Sequence, residues 1–270
     1  MLPNFIGVGT QRAATTWLHH CLAEHPQVFV PDAKELHYFS NRFDRGQAWY
    51  ESHFTPAPEH KAVGEITPNY LHHSDAIRRI AEVIPDAKLI VVLREPISRA
   101  YSAYQLFRQR HYTDQTFTEA CIPGSDLVHH SIYSQAMYRL YTLFDRRQVR
   151  VYLYDDVQTN GLAVLRDLFA FLEIDVTFVP ASLSQRVNVT VLPRTQKVLR
   201  WLGAGSLIDA VRGTPAGDWI KRRFAVTGQR AQCDDALPPD ARHRLQSLFR
   251  EDVMRLQDLI RRDLSHWLVS

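Results

Sequence analysis

The segment GVGTQRAATTWL, residues 7–18, follows the apolar run LPNFI and brings small and hydroxyl residues to the start of a helical stretch. Free backbone N–H groups at a helix N-terminus, with hydroxyls beside them, hold anionic groups. Here Arg12 adds a permanent positive charge, and Ala13, Ala14, Thr15, Thr16 and Trp17 carry the amides. The loop is not the one that binds nucleoside triphosphates. Gly9 is followed five residues later by Ala14, and no Lys precedes the threonines. A plain strand-to-helix turn with Thr15 and Thr16 as caps would use the same residues. A second segment, LIVVLREPISRAYSAY (89–104), argues for the anion site. Arg94 ends the most apolar strand of the chain, where open α/β sheets bind their ligands. Ser102 lies eight residues on, about two turns into the following helix. Arg99 and Tyr104 complete a polar and aromatic helical surface. Two cation-and-hydroxyl grips, one on each segment, suit a ligand with two phosphate-like groups held without metal.

These residues need elements to hold them. NFIGV (4–8), QVFVP (27–31), KAVGEI (61–66), KLIVVLR (88–94) and VRVYLYDDV (149–157) read as strands, KLIVVLR too continuous to keep a polar face. Helical spacing runs through 14–25, 47–54, 75–85, 96–110, 131–146 and 161–172, with Pro96 at the first turn of its helix. The stretch DAKELHYF (32–39) reads as a loop. Alternating strands and helices predict an α/β fold with a central parallel sheet flanked by helices. Residues 200–237 break the rhythm and read as an irregular insertion, and apolar positions from Leu245 to Ile260 mark a terminal amphipathic helix. No repeat or linker divides the chain, so 1–270 is expected to be a single domain.

Composition narrows the function. The 270 residues are 45% hydrophobic and 23% charged, an ordinary globular balance. With 32 basic and 29 acidic side chains the net charge is only +3, which argues against a nucleic-acid partner. Cys21, Cys121 and Cys233 are scattered, so neither a disulfide framework nor a zinc site is expected. The pairs His19/His20, His72/His73 and His129/His130 lack metal-ligand spacing and read as surface residues or residues behind a site. No apolar run approaches the roughly 18 residues of a membrane span, and no leader pattern opens the chain. A cytoplasmic protein is the expectation.

RAATTWL (12–18) resembles the 5′-phosphosulfate loop of sulfotransferases that use 3′-phosphoadenosine-5′-phosphosulfate, which reads Lys-x-Gly-Thr-Thr/Ser-x-Leu. LREPISRAYS (93–102) is similar to that family's 3′-phosphate motif. KELHYF (34–39), GEITPNYL (64–71), SIYSQAMYRLYTLF (131–144) and the ending from Ala236 to Trp267 resemble further family segments in the right order. The likeness is greatest to the heparan sulfate glucosaminyl branch and its bacterial relatives, and it covers most of the chain except about 195–235. It implies a P-loop-like sulfotransferase fold and that nucleotide as donor, with adenosine 3′,5′-bisphosphate as product. It also implies a glycan, lipid or small-metabolite acceptor. Arg12, Ala13, Ala14, Thr15, Thr16 and Trp17 would hold the 5′ end, and Arg94 and Ser102 the 3′-phosphate. Glu35 takes the place of the family's general base, with His37 expected on the same side of an extended segment, orienting the acceptor or the carboxylate. A semi-buried carboxylate there is expected to titrate toward neutrality; a surface pairing of Glu35 with Lys34 or a loop Arg is the bland alternative.

Three positions depart from the family pattern: Arg12 replaces Lys, Ala14 replaces Gly, and Ile66 replaces a Lys of many relatives. Arg cannot release a proton at ordinary pH, and the Cβ of Ala14 resists positive φ. These changes keep open a protein that binds the nucleotide without turning it over. A kinase on the same sheet is the weaker alternative, since it needs the missing Gly-Lys-Thr. Tyr70 and Tyr133 fit a cleft or a core, Arg186 and Arg194 are loose phosphate candidates, and Trp267 is expected to pack the last helix.

Overall fold

In the computed structural model, residues 1–184 and 239–268 are described. The expected insertion at 200–237 and the segment 186–194 lie outside them, as does Cys233.

Five strands among the described residues form one parallel sheet: β1 (Phe5–Gly9), β2 (Val28–Phe29), β3 (Ala62–Ile66), β4 (Lys88–Leu93) and β5 (Val149–Leu153), ordered β2-β3-β1-β4-β5. Phe5 pairs with Gly64 on one side and Lys88 on the other, and β4 runs in register with β5 from Leu89↔Val149 to Leu93↔Leu153. The central strands are apolar on both faces because both are covered. Ile6, Val8, Leu89, Val91 and Leu93 enter one core cluster, while Phe5, Ile90 and Val92 enter the other. This is the period-two alternation of a strand read on two dry sides.

The helices follow as α1 (Thr15–Ala23), α2 (Tyr38–Asn41), α3 (Gln47–Glu51), α4 (Ala76–Val83), α5 (Pro96–Gln109), α6 (Phe117–Ala120), α7 (Asp126–His129), α8 (Ser134–Leu143), α9 (Tyr154–Leu172) and α10 (Pro239–Ile260). One sheet face packs on α1 and α9; the other packs on α4, α5, α8 and α10. Glu95 explains where α5 starts: its carboxylate accepts from the amides of Ile97 (3.0 Å) and Ser98 (2.7 Å), with Pro96 following. Trp267 packs as expected, its indole N–H bonded to Asp155 at 2.8 Å.

Two boundaries differ from expectation. The last strand stops at Leu153, and Tyr154 to Val157 are helical, because Asp156 turns back to accept the Leu153 amide at 3.2 Å. The helix expected at 161–172 is the second part of α9, after Asn160 leaves helical geometry at φ −148° and accepts from Ala163. Tyr38 and Phe39, expected at the end of a loop over 32–39, instead begin α2. Among the described residues no helix is long and apolar enough to cross a membrane.

Candidate active site

Four functional segments leave the same end of the sheet. The loop 10–14 follows β1, Thr67 follows β3, Arg94 follows β4 and Tyr154 follows β5. That is the carboxyl edge, where parallel sheets offer ligand sites.

The loop after β1 brings an unblocked helix end to this edge. Ala14 is the N-cap of α1, and no side chain caps the helix, so Thr15 and Thr16 do not play the capping role. Arg12 (φ 72°) and Ala14 (φ 60°) both adopt the left-handed conformation. Position 14 therefore takes the positive φ that its Cβ was expected to resist, at a cost of about 1–2 kcal/mol for an L-residue. Such cost persists where surrounding structure over-determines the backbone. The surroundings here are arginines. Arg94 Nη1 donates to the Arg12 carbonyl at 3.0 Å, and the buried Arg99 donates to the Gln11 carbonyl at 3.4 Å, to Leu127 O at 3.2 Å and to Ser131 Oγ at 3.4 Å. Arg99 and Tyr104, expected on a polar helix surface, are instead 2% and 3% exposed; Arg99 ties the loop to the α7–α8 corner. Trp17 contributes to the loop through its backbone, since its ring is packed against Gly161 and its N–H reaches Leu183 O at 3.4 Å.

The two expected grips meet through one side chain. Arg12 Nε donates to Ser102 Oγ at 3.0 Å, so Arg12, rather than Arg94, is the cation seated on Ser102. Arg94 lays its guanidinium on the Tyr154 ring at 4.5 Å, and Tyr133 Oη donates to its carbonyl at 2.9 Å. Burial, then the charges of Arg94 and Arg110, push the Arg12 pKa down. Among the described residues none of Arg12, Arg94, Arg99 and Arg110 pairs with a carboxylate. Arg94 Nε is buried with no hydrogen-bond partner. A buried unpaired donor costs about 1–3 kcal/mol. An orphaned guanidinium N–H, an uncapped helix end and mutually repelling cations fit a polyanionic ligand such as a nucleotide with two phosphate-like groups.

In the segment ahead of α2, Glu35 carries Lys34 on one carboxylate oxygen and His37 Nε2 at 3.6 Å from the other. Burial raises the carboxyl pKa, but the hydrogen bond from His37 and the charge and hydrogen bond of Lys34 outweigh it, bringing it down to about 2. The expected upward shift is thus reversed, and the Lys34 pairing is present. The segment is not extended either: Glu35 and His37 both have positive φ, 67° and 55°. Their side chains meet because two left-handed residues flank Leu36, not because of strand alternation. Behind them, burial followed by Lys34 pushes His19 down to about 4, so its imidazole is neutral.

Sequence reasoning passed over Glu65. It sits in β3, 2% exposed, in the motif GEITPNYL, and an acid inside an otherwise apolar strand was the signal. Tyr70 and Tyr133 line no open cleft; both are fully buried, and their hydroxyls bond to Glu65 and the Arg94 carbonyl. Ile66 is a core residue wedged over Gly7, where an added Cβ would lie 2.8 Å from its Cγ1. His19 and His72 are buried rather than on the surface. Among the described residues no cluster of His, Cys, Asp or Glu is arranged to hold a metal.

The fold and this edge define an α/β protein of the phosphate-loop type. This chain matches the model of the sulfotransferase family over residues 50–178. Its relatives include the membrane-associated sulfotransferase kil1 of Dictyostelium discoideum, 39% identical over 106 residues, or 38% of this chain and 22% of that protein. The human bifunctional heparan sulfate N-deacetylase/N-sulfotransferase 3 is 37% identical over 122 residues, 42% of this chain and 14% of that protein. The chain thus matches under a quarter of the length of either relative. A sulfotransferase crystal structure from Alicyclobacillus acidocaldarius superposes with a TM-score of 0.75 at 25% identity, covering 99% of both chains.

Proposed function

We propose that this protein transfers a sulfuryl group from 3′-phosphoadenosine-5′-phosphosulfate to a hydroxyl or amine of a glycan, lipid or small-metabolite acceptor, with residues 1–270 acting as one sulfotransferase domain. The observation that carries the reading is the joining of the two anion grips: Arg12 extends from the uncapped α1 loop to Ser102, beside an Arg94 with an unsatisfied buried N–H. When bound, the donor supplies the sulfuryl group and a leaving 5′-phosphate. The loop amides of residues 13–17, the hydroxyls of Thr15 and Thr16, and the Arg12 guanidinium meet the negative charge that grows at that phosphate. Arg12 stabilises it as a fixed charge and transfers no proton. Arg94 and Ser102 hold the 3′-phosphate and so distinguish this donor from simpler adenine nucleotides. Glu35, ionised at physiological pH, accepts the acceptor's proton as that proton becomes acidic during transfer, and His37 orients the carboxylate. The glycan acceptor class is supported by the heparan sulfate enzyme among the relatives.

Donor binding without turnover is the second reading, favoured by one observation: Lys34 already occupies an oxygen of Glu35. One experiment separates the two. Wild type and Glu35→Gln are assayed with labelled donor against alcohol, phenol, amine and sugar acceptors, and bisphosphate binding is measured in parallel. We expect Glu35→Gln to lose at least about 100-fold in transfer, the usual scale of a general base, with bisphosphate affinity unchanged. Normal transfer by Glu35→Gln would refute the base assignment; tight donor binding with no product from wild type would establish the second reading.

A further inference from the structure

We infer that Glu65 is a positioning residue for the acceptor-side segment: its buried carboxylate anchors the backbone amides of Leu36, His37 and Phe39, and thereby holds Glu35 and His37 in their left-handed conformations. The functional part of this inference rests on the reading of Glu35 as base.

Glu65 accepts four hydrogen bonds, two on each oxygen. Tyr50 Oη and Tyr70 Oη both donate to Oε1 at 2.9 Å; Thr67 Oγ1 donates to Oε2 at 2.7 Å and the Leu36 amide to the same oxygen at 3.3 Å. The hydroxyls pass the hold onward. Thr67 Oγ1 accepts from the His37 amide at 3.4 Å, and Tyr70 Oη accepts from the Phe39 amide at 3.4 Å. Three amides of one four-residue stretch therefore end on a single carboxylate, directly or through one hydroxyl. The far side is tied as well, since Arg42 donates to the Leu36 carbonyl at 3.1 Å and Arg79 to the carbonyls of Phe39 and Ser40 at 2.9 and 3.0 Å.

An apolar core would not need this acid. A buried carboxylate persists only when its lone pairs are filled, and four donors from α3, the stretch just after β3 and the segment itself fill them. The return is local. Non-glycine residues at positive φ cost of order 1–3 kcal/mol each, and two of them, Glu35 and His37, flank the one amide that Glu65 holds directly. Thr67 also donates its amide to the Gly7 carbonyl at 2.9 Å, so the same residue joins the acceptor segment to β1, whose end opens the anion loop. A base held on a rigid strand in this way keeps the alignment that in-line chemistry requires.

The test uses amide hydrogen exchange and steady-state kinetics on the full chain. Thr67→Val keeps the shape and removes the relay; Thr67→Ser restores the hydroxyl. Glu65→Met removes every acceptor, and if it does not fold, the Thr67 pair carries the test. We expect Thr67→Val to speed exchange at His37 and to lower kcat about 10-fold, with bisphosphate affinity and acceptor KM little changed and Thr67→Ser near wild type. Folded Glu65→Met should release Leu36, His37 and Phe39 and lower kcat by about 100-fold, the scale of a 1 Å misplacement. Unchanged exchange at these amides in the folded variants would overturn the inference, as would a serine variant no better than valine. The exchange readout is independent of Glu35: if Glu35→Gln transfers normally while these amides are still released, the base assignment falls and the anchoring by Glu65 stands.

Discussion

At Glu35 two neighbours decide what the residue can do. Lys34 and His37 hold its carboxyl at about 2, below the ordinary carboxylate value of 4.5. A carboxylate with a depressed folded-state pKa adds stability that is complete above the unfolded value and is lost as pH falls toward the folded one. The Glu35 contribution is therefore full above about pH 4.5 and declines from there toward pH 2. Comparing thermal melts of wild type and Glu35→Gln from pH 6 to pH 3, we expect the advantage of wild type to shrink as pH falls. An advantage that grows on acidification would contradict the assigned partners. Catalytically, the same charges mean that an acid limb of kcat between pH 5 and 7 belongs to another group, since Glu35 is ionised throughout that range in the resting site. The sequence marked Glu35 and placed Lys34 beside it. It could not show which way the pKa moves, because that depends on how burial, Lys34 and His37 balance in three dimensions.

The helix α1 shows the same division at the level of an element. Its place after β1 is legible from apolar periodicity and the hydroxyl-rich start, and so is the place of α5, with Glu95 and Pro96 at its first turn. The left-handed start of α1 is not legible, because alanine at that position gives no sign of positive φ. Ala14→Gly tests it. Glycine removes the Cβ conflict and is the better N-cap, so stability should rise by about 1 kcal/mol, or about 2 °C in the melting temperature of a chain this size. A fall in melting temperature would show that the native conformation at position 14 is not the strained one. The boundary between β5 and α9 escaped sequence reading for a related reason. The mostly apolar and aromatic run from Val149 to Tyr154 reads on as one strand, but Asp156 closes a helical turn on the Leu153 amide, a contact that hydrophobic pattern does not encode.

For the molecule as a whole, the parallel sheet does the assembling. Its order places the ends of β1, β3, β4 and β5 side by side, so residues as distant as Arg12, Thr67, Arg94 and Tyr154 converge on one edge. The fold class and the convergence of Arg12 and Arg94 were readable from alternating strands and helices and from two motifs about 80 residues apart; the places of Thr67 and Tyr154 were not. The joining of the motifs by the Arg12–Ser102 bond was not, since side-chain reach is set by packing; nor was the conversion of Arg99 from surface residue to buried tie. The central claim is that this edge recognises both ends of a doubly charged adenosine nucleotide. Isothermal titration calorimetry with adenosine 3′,5′-bisphosphate and with AMP tests it most directly, because the two differ only in the phosphate assigned to Arg94 and Ser102. Two charge-assisted contacts predict that the bisphosphate binds about 100-fold more tightly, and that Arg94→Ala removes most of that difference; equal affinities for the two nucleotides would contradict the account.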